Sequence, residues 1–148
     1  MIRKVTENKE KYMDLLLIGD EQEDMVRRYL DKGELFVWEE NGQDAAVCVI
    51  TYEGDRVCEL KNIAVSPDLQ RQGIGRKLLG FAEDYCRSFA KKLILGTGDS
   101  PLTVPFYEKC GYVRSHTVKN FFTDNYDHPI FEGGVQLVDM IYFEKELR

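Results

Sequence analysis

The spacing of apolar residues predicts a short strand followed by helices in the N-terminal part of the chain. Residues 2–5 can form a short first strand, and the apolar residues after it recur at helical spacing as far as Gly33. This helical pattern breaks near Gly19 and Asp20, a pair of residues typical of helix ends. We therefore expect two helices rather than one before the next strand begins.

The middle of the chain has the pattern of three consecutive antiparallel strands. Its apolar runs are residues 35–38, 45–52 and 57–65, with turns predicted between them at Asn41-Gly42 and Gly54-Asp55. An Asn-Gly pair between two apolar runs is a strong hairpin signal, because both residues tolerate the positive φ angles of a tight turn. Pro67 ends the third strand, since proline cannot donate a backbone hydrogen bond.

In the last part of the chain, helices and strands alternate. Apolar residues at helical spacing between Ile74 and Phe89 predict a long amphipathic helix with one buried face. After it we expect a strand at residues 93–95, a short helix at 104–109 that ends at Gly111, and strands at 112–122 and 135–143. Residues 123–134 show no periodic pattern, and loops of this length are more often functional than idle.

The resulting element order is β-α-α-β-β-β-α-β-α-β-β, which predicts an α/β (α+β) fold. We expect a mixed, mainly antiparallel central sheet with flanking helices. The chain has no repeat, low-complexity tract or linker that would divide it, so residues 1–148 are interpreted as a single domain.

Composition and charge narrow the class of protein. The 148 residues are 43% hydrophobic and 31% charged, and their net charge of −6 argues against a nucleic-acid partner, which usually requires a basic surface. No run approaches the roughly 20 apolar residues of a membrane-spanning helix. Residues 1–5 lack the apolar stretch of a signal peptide. We expect a cytoplasmic protein that binds neither nucleic acid nor membrane.

The cysteines and histidines do not have the spacing of a metal site. The four cysteines, which include no Cys-x-x-Cys pair, are Cys48, Cys58, Cys86 and Cys110. The two histidines stand at positions 116 and 128, so the ligand spacing of a zinc site is absent. We interpret the cysteines as reduced, mostly buried thiols and expect no metal ion.

The segment from residue 57 to residue 79 carries the clearest chemical signal, because it combines a strand, a tight turn and the start of the long helix. This turn and helix start hold two glycines and three basic residues, namely Gly73, Gly75, Arg71, Arg76 and Lys77. Unpaired backbone N–H groups and the positive end of the helix dipole attract anions there, and glycine lets a phosphate come close. Leu78 stands where a dinucleotide signature needs a third glycine, and no Gly-Lys-Ser/Thr of a P-loop occurs.

Two motifs resemble those of a known family. Gln70-x-x-Gly73-x-Gly75, after the strand Asn62–Val65, resembles the acyl-CoA signature of the GNAT superfamily of N-acetyltransferases. Phe106–Tyr112 resembles the second motif of that family, a helix that carries a tyrosine and ends at Gly-aromatic. The element order matches the family over essentially the whole chain. The resemblance therefore implies the acyl-CoA N-acyltransferase fold and a small, single-domain bacterial enzyme that uses acetyl-CoA.

The resemblance implies which residues bind acetyl-CoA. Backbone N–H groups of the turn would hold its pyrophosphate, and the main chain of Ile63–Val65 would pair with the pantetheine arm and polarise the thioester carbonyl. The implied binding residues are Ile63, Ala64, Val65, Gln70, Arg71, Gln72, Gly73, Ile74, Gly75, Arg76, Lys77 and Asp99. In the family, the strands that match residues 57–65 and 93–95 splay apart, and the acetyl group lies in the gap.

Asp99 departs from the family pattern, because many members have asparagine at this position. An ionised carboxylate only accepts hydrogen bonds, so Asp99 cannot make the hydrogen bond that an asparagine amide donates to pantetheine. Two other roles for Asp99 are open, since it is placed either to cap the next helix or to meet the substrate amine.

The resemblance also implies the catalytic groups of a direct transfer, in which an amine attacks the thioester within a ternary complex. Tyr107 matches the general acid that protonates the CoA thiolate, which is chemically reasonable because a phenol of pKa about 10 can donate to a sulfur of pKa about 8.5. Glu59 matches the general base of some members, whereas others use water. The alternatives are a Tyr107 ring that only packs under the sheet and a solvated Glu59.

In the family, the N-terminal helices and the loop before the last strand surround the acceptor. Here residues 7–34 contain nine acidic and five basic residues, and residues 122–146 contain six acidic and one basic. Residues 61–92, which include the anion-binding turn, contain seven basic and three acidic residues. The acidic walls favour a cationic amine as acceptor. The alternative function is a non-catalytic acyl-CoA-binding sensor, and we expect a monomer or a homodimer.

Overall fold

The computed structural model describes residues 1–147, which form nine strands and five α-helices. The strands are β1 (Ile2–Val5), β2 (Glu34–Glu40), β3 (Gln43–Tyr52), β4 (Val57–Val65), β5 (Lys92–Gly98), β6 (Val113–Val118), β7 (Phe131–Glu132), β8 (Val135–Gln136) and β9 (Met140–Glu146). The α-helices are α1 (Met13–Gly19), α2 (Glu23–Leu30), α3 (Ile74–Arg87), α4 (Val104–Lys109) and α5 (Phe121–Asn125), with 3-10 turns at Lys9–Tyr12 and Pro67–Leu69. Seven strands form one sheet in the order β1-β2-β3-β4-β5-β9-β6, and β7 and β8 form a separate hairpin.

The sheet is mixed and mainly antiparallel, as the sequence predicts. Strands β4 and β5 pair in parallel, because α3 crosses over between them. The other neighbouring pairs of the sheet are antiparallel. The predicted element order is confirmed, with two additions between β6 and β9, namely helix α5 and the β7-β8 hairpin.

The C-terminal strands differ from their predicted bounds. The predicted strand over 112–122 is too long, because Asn120 takes a left-handed conformation with a φ of 59° and α5 begins after it. The predicted strand over 135–143 is in fact divided between β8 and β9. The reason is a small cluster in which Phe122, Ile130 and Leu137 bury one another.

Apolar side chains cover both faces of the sheet. On one face, α3 contributes Leu78 to a core that also contains Leu60 of β4. On the other face, α1 contributes Leu16 to a core that also contains Val49 of β3. Strand β3 is buried on both faces, which explains why residues 45–52 form a nearly continuous apolar run.

The structure also bears on the predicted thiols and on the predicted lack of a membrane-spanning helix. All four cysteines are free thiols, three of them buried and Cys110 half-buried, which agrees with the prediction. Among residues 1–147, no helix has both the length and the apolar character needed to cross a membrane.

Strand β4 contains a β-bulge in its centre. Its register with β3 pairs Val49 with Asn62 but Ile50 with Leu60, so Lys61 is an extra residue without a partner on β3. A bulge of this kind bends the strand and increases its local twist. The bend occurs at the point where β4 begins to leave β5.

Strands β4 and β5 separate beyond this bulge. Their parallel pairing ends at Leu60 and Leu95, although β4 continues to Val65 and β5 to Gly98. Main-chain groups of residues 61–65 that point towards β5 therefore have no strand partner there. A cleft opens in the middle of the sheet, as the resemblance implied.

Candidate active site

A cleft of about 500 Å³ lies between the separated ends of β4 and β5. Its walls include residues 62–65 and 96–98, and it is closed by the end of α1, by Tyr107 and by residues 130–132. This volume lies within the range of ligand-binding clefts, roughly 300 to 1,000 Å³. The predicted pantetheine-binding segment Ile63–Val65 thus lies in the wall of the cleft.

The turn before α3 presents backbone N–H groups at one end of this cleft. Gly73 has a φ of 83°, and no atom lies within 4 Å of the position that a Cβ would occupy, so the backbone is open there. The Lys77 N–H donates to the Gly73 carbonyl, with 3.1 Å between nitrogen and oxygen. The amides of residues 74–76 therefore point out of the helix start. Gln70 Nε2 donates to the Val65 carbonyl at 3.0 Å, which ties the turn to β4.

The side chains of this turn differ in exposure. Arg71, Gln72, Arg76 and Lys77 are exposed, so three positive charges stand around the turn. Ile74 has its side chain buried in the core, so it contributes only its amide. Amide donors and positive charge at one helix start form an arrangement that suits a phosphate.

Asp99 lies at the end of β5 and is exposed to solvent. It follows the wall residues 96–98 but is not itself part of the cleft wall. Within the described residues, the start of α4 has no side-chain cap, so Asp99 does not cap this helix. Its contact with acetyl-CoA stays a prediction.

Tyr107 lies on α4, with its ring in the core and one part of the residue in the cleft wall. The residue is 8% exposed. Its ring packs edge-on against Phe106 and Tyr112, with 5.2 and 6.0 Å between ring centroids. Burial raises the pKa of the phenol, and the carboxylate of Glu132 adds to this shift, so the hydroxyl keeps its proton at neutral pH. Ring packing and access to the cleft therefore coexist in this residue.

Glu59 lies on β4 and is only 6% exposed. Tyr142 Oη donates to Glu59 Oε2 at 3.0 Å, and Lys61 Nζ lies 3.0 Å from the same oxygen. The alternative of a solvated glutamate is therefore wrong, because the carboxylate is enclosed and paired. Glu59 lines a smaller cavity of about 190 Å³, the side cavity, which shares Leu60, Lys61 and Gly96 with the cleft.

Asp20, directly after α1, is a half-buried carboxylate that the sequence did not identify as functional. Tyr29 Oη donates to its Oδ2 at 2.9 Å, and Tyr126 Oη donates to its Oδ1 at 2.5 Å. Burial raises the pKa of Asp20, because loss of hydration outweighs the two hydrogen bonds that favour its charge. Asp20 lines both the cleft and the side cavity, so a carboxylate stands where they meet.

Asn62 attaches the end of α1 to β4. Its Nδ2 donates to the Leu16 carbonyl at 2.9 Å and to Tyr29 Oη at 3.0 Å. A Cβ on Gly19 would lie 2.4 Å from Asn62 Oδ1, so glycine is required for this close approach. Asn62 therefore supports Tyr29 and, through it, Asp20. The only sequence signal for this group was the helix break at residues 19 and 20.

Comparison with known proteins identifies the class of this chain. The family model described as an acetyltransferase (GNAT) domain matches residues 31–114. A Bacillus subtilis (strain 168) protein described as the uncharacterized N-acetyltransferase YvbK is 34% identical over 137 residues, which cover 91% of this chain and 88% of that protein. The chain therefore belongs to the GNAT acetyltransferase family.

Solved structures agree with this class. The crystal structure of a GNAT family acetyltransferase from Elizabethkingia anophelis with acetyl-CoA bound matches with a TM-score of 0.93 and 36% identity, over 99% of this chain and 97% of that chain. A Bacillus subtilis acetyltransferase in complex with CoA matches with a TM-score of 0.91 and 32% identity, over 99% of this chain and 98% of that chain. The chain is an N-acetyltransferase, and structural relatives bind acetyl-CoA or CoA.

Proposed function

We propose that this N-acetyltransferase moves the acetyl group of acetyl-CoA directly to a primary amine within a ternary complex. The observation that carries the proposal is the junction of the cleft and the side cavity at Leu60, Lys61 and Gly96, where β4 and β5 separate. A thioester in the cleft and an amine in the side cavity would meet at this point. Direct transfer needs no covalent acyl-enzyme, because both substrates reach the junction together.

The proposed donor site is the cleft together with the turn before α3. Backbone N–H groups of residues 73–76, with Arg71, Arg76 and Lys77 around them, would hold the pyrophosphate of acetyl-CoA. Main-chain groups of Ile63–Val65 that lack a partner on β5 would pair with pantetheine, and one N–H would polarise the thioester carbonyl. The complexes of the structural relatives support acetyl-CoA as the donor.

The transfer step requires a neutral amine, so the ammonium group of the acceptor first loses a proton to a base. The nitrogen lone pair attacks the carbonyl carbon, the new C–N bond forms, and the C–S bond breaks. Tyr107 gives its phenolic proton to the departing sulfur, and the second proton that leaves the nitrogen replaces it through solvent. The products are an N-acetyl amide and the CoA thiol. The raised pKa of Tyr107 keeps its proton in place until the thiolate forms.

Glu59 is the proposed base, either directly or through a water molecule. Its carboxylate lines the side cavity next to the junction residue Lys61. The carboxylate is already paired with Lys61, whose Nζ lies 3.0 Å from Glu59 Oε2. A water molecule between the amine and Glu59 would relay the proton while the ion pair between Glu59 and Lys61 stays in place.

We also propose a compartment, a domain organisation and an oligomeric state for the enzyme. The chain would act in the cytoplasm as a single GNAT domain over residues 1–148, as a monomer or a homodimer. Its four free thiols fit a reducing compartment. The acceptor arrives as an ammonium ion, and Asp20 and Glu59 on the wall of the side cavity would face its charge.

The test measures release of the CoA thiol from acetyl-CoA in the presence of polyamines, amino acids, aminoglycosides or peptides, with mass spectrometry of the product. Thiol release coupled to an N-acetylated amine is the expected result. Thiol release without an acetylated amine would contradict direct transfer. Binding of acetyl-CoA without turnover of any amine would favour the alternative, a non-catalytic acyl-CoA-binding sensor.

A further inference from the structure

The side cavity has charges of both signs on its walls. Its carboxylates are Asp20 and Glu59, and its cations are Arg28, Lys32 and Lys61. Lys61 is paired with Glu59, with 3.0 Å between Nζ and Oε2. An acceptor that bears only positive charge would face more cations than carboxylates here, which disfavours its binding.

Arg28 and Lys32 line the side cavity and are exposed, and the charge of Arg28 also acts on Asp20 without an ion pair between them. Arg28 Nη1 donates to the amide oxygen of Asn125 at 3.2 Å, and within residues 1–147 neither cation forms an ion pair. Arg27 differs from its neighbour Arg28, because its guanidinium pairs with Glu10 at 3.0 Å and with Glu23 at 2.8 Å. Two exposed cations that form no ion pair are suited to recognise an anionic group of a ligand.

The acidic segments of the chain do not change this balance inside the side cavity. Four of their fifteen carboxylates are paired elsewhere on the surface: Glu10 and Glu23 with Arg27, Glu34 with Lys4, and Glu144 with Lys92. Exposed charges that are neutralised and screened in this way contribute little at a distance. The charges on the cavity wall itself therefore decide which acceptor fits.

The rest of the wall is aromatic and apolar. Four rings line the side cavity, those of Tyr29, Phe121, Tyr126 and Tyr142. Tyr126 is fixed through its hydroxyl, which donates to Asp20 at 2.5 Å. The volume of about 190 Å³ suits a small molecule with an apolar or aromatic group.

We propose that the acceptor is a small amino acid or amino-acid derivative with an apolar or aromatic side chain. This inference rests on the proposed function, because it names the acceptor of the same site. The carboxylate of the acceptor lies against Arg28 and Lys32, its side chain lies among the rings, and its amine lies near Asp20, where the side cavity meets the cleft. Asp20 accepts hydrogen bonds from two tyrosines and offers its charge to the ammonium group.

The experiment compares phenylalanine with phenethylamine, which has the same ring and amine but no carboxylate. Release of thiol from acetyl-CoA gives kcat/KM for each amine. We expect phenylalanine to be preferred by about tenfold, the combined effect of two exposed charge pairs.

Two variants locate the source of this preference. Arg28→Ala combined with Lys32→Ala should raise KM for phenylalanine by about tenfold. KM for phenethylamine should stay the same or fall, because two repelling cations are removed, and the affinity for acetyl-CoA should stay unchanged. Arg27→Ala is the matched control, because Arg27 is next to Arg28 on α2 but pairs with Glu10 and Glu23. It should leave both KM values unchanged, and thermal unfolding checks that each variant is folded.

Two outcomes separate this inference from the proposed function. Equal or better turnover of phenethylamine, or an equal loss for both amines in the double variant, overturns the inference and leaves the proposed function standing. If no amine is acetylated, the proposed function fails, and calorimetry in the presence of CoA decides the inference. Tighter binding of phenylalanine than of phenethylamine would then support it, and equal binding would overturn it.

Discussion

The donor cleft and the side cavity adjoin one another, yet they are built from different parts of the chain. The groups proposed to hold the donor are main-chain groups, at the end of β4 where it leaves β5 and in the turn around Gly73 that follows β4. The side cavity is formed by side chains from the N-terminal helices, β4, α5 and β9. The segments proposed to hold the donor, residues 63–65 and 70–77, lie within one stretch of sequence, whereas Asp20 and Tyr126, which meet at the side cavity, are 106 positions apart.

This difference separates the proposed binding of the donor, which is common to all acceptors, from the selection of a particular acceptor. A site made of backbone depends on strand geometry and on glycine more than on which side chains are present. A site made of side chains can change its residues on the same backbone, so one fold accommodates different acceptors. We expect changes in the cleft to affect all acceptors equally and changes in the side cavity to discriminate between them.

The largest effect is expected for Gly73→Glu in the cleft. The backbone at Gly73 is left-handed, with a φ of 83°, which is strained for any residue with a side chain. The glutamate would also place negative charge where the pyrophosphate is proposed to bind. Like charges in contact cost several kcal/mol, so the affinity for acetyl-CoA should fall by about 100-fold or more. Isothermal titration calorimetry measures this loss.

Gly42→Glu is the matched control for that variant. Gly42 has a φ of 77° and, like Gly73, no atom within 4 Å of its Cβ position, but it lies in the turn between β2 and β3. Backbone strain should therefore be similar, and acetyl-CoA binding should be unchanged. Normal affinity in Gly73→Glu as well would show that the turn before α3 is not the donor site.

Tyr107→Phe should slow the transfer step in the cleft. Loss of the general acid should lower kcat by roughly 100-fold for every acceptor, with little change in acetyl-CoA affinity. The fold should persist, because the ring still packs against Phe106 and Tyr112. Tyr52→Phe, at a tyrosine that is 56% exposed, is the control. Unaltered turnover in Tyr107→Phe would remove this residue from the mechanism.

Gly19→Ala should loosen the support of the side cavity. Its Cβ would lie 2.4 Å from Asn62 Oδ1 and 3.0 Å from the Ile63 carbonyl, so α1 must move away from β4. Such overpacking costs about 1 to 3 kcal/mol in the free energy of unfolding, which urea denaturation measures. Gly80→Ala in α3 meets no atom within 4 Å and should instead stabilise the protein. Equal stability of both variants would mean that the close approach at Gly19 relaxes without cost.

The smallest effect is expected in the pH dependence of stability. The pKa of Asp20 in the folded protein lies above its ordinary value of 3.8, because burial disfavours the charged carboxylate. The stability that Asp20 contributes is therefore complete below 3.8 and is lost as pH rises through the raised value. Asp20→Asn does not titrate, so the wild type should lose unfolding free energy relative to this variant over that range. Urea denaturation at a series of pH values measures the difference, and a constant difference would contradict the role of burial.

Most of the fold was predictable because its signals are local. The turns at Asn41-Gly42 and Gly54 contain residues that tolerate positive φ, and both glycines indeed have it, at 77° and 87°. The helix predicted from Ile74 runs to Arg87. The error after residue 112 has a tertiary cause, since Phe122 has the pattern of a strand but packs in a helix against a distant apolar pair.

The sequence indicated the turn before α3 but not the residues that form the side cavity. Glycines and basic residues at a helix start carry their chemistry in their order along the chain, so the sequence alone predicts an anion-binding turn before α3. Tyr29 and Tyr126 have no such signal, because a tyrosine that donates to Asp20 looks the same in sequence as one that only packs. Glu59 was found through a resemblance, but its partner Tyr142 was not.

Lys61, the extra residue of β4, reverses the alternation of side chains along the strand. Before it, Leu60 belongs to the core under α3 and Glu59 faces the side cavity; after it, Ile63 packs on the α3 side and Asn62 reaches α1. In a regular strand, Glu59 and Asn62 would lie on opposite faces. Lys61 therefore shifts the alternation by one residue, so that the side chains after it point to the face opposite to the one they would take in a regular strand. It lets a single strand supply apolar cover to one layer and polar groups to the other.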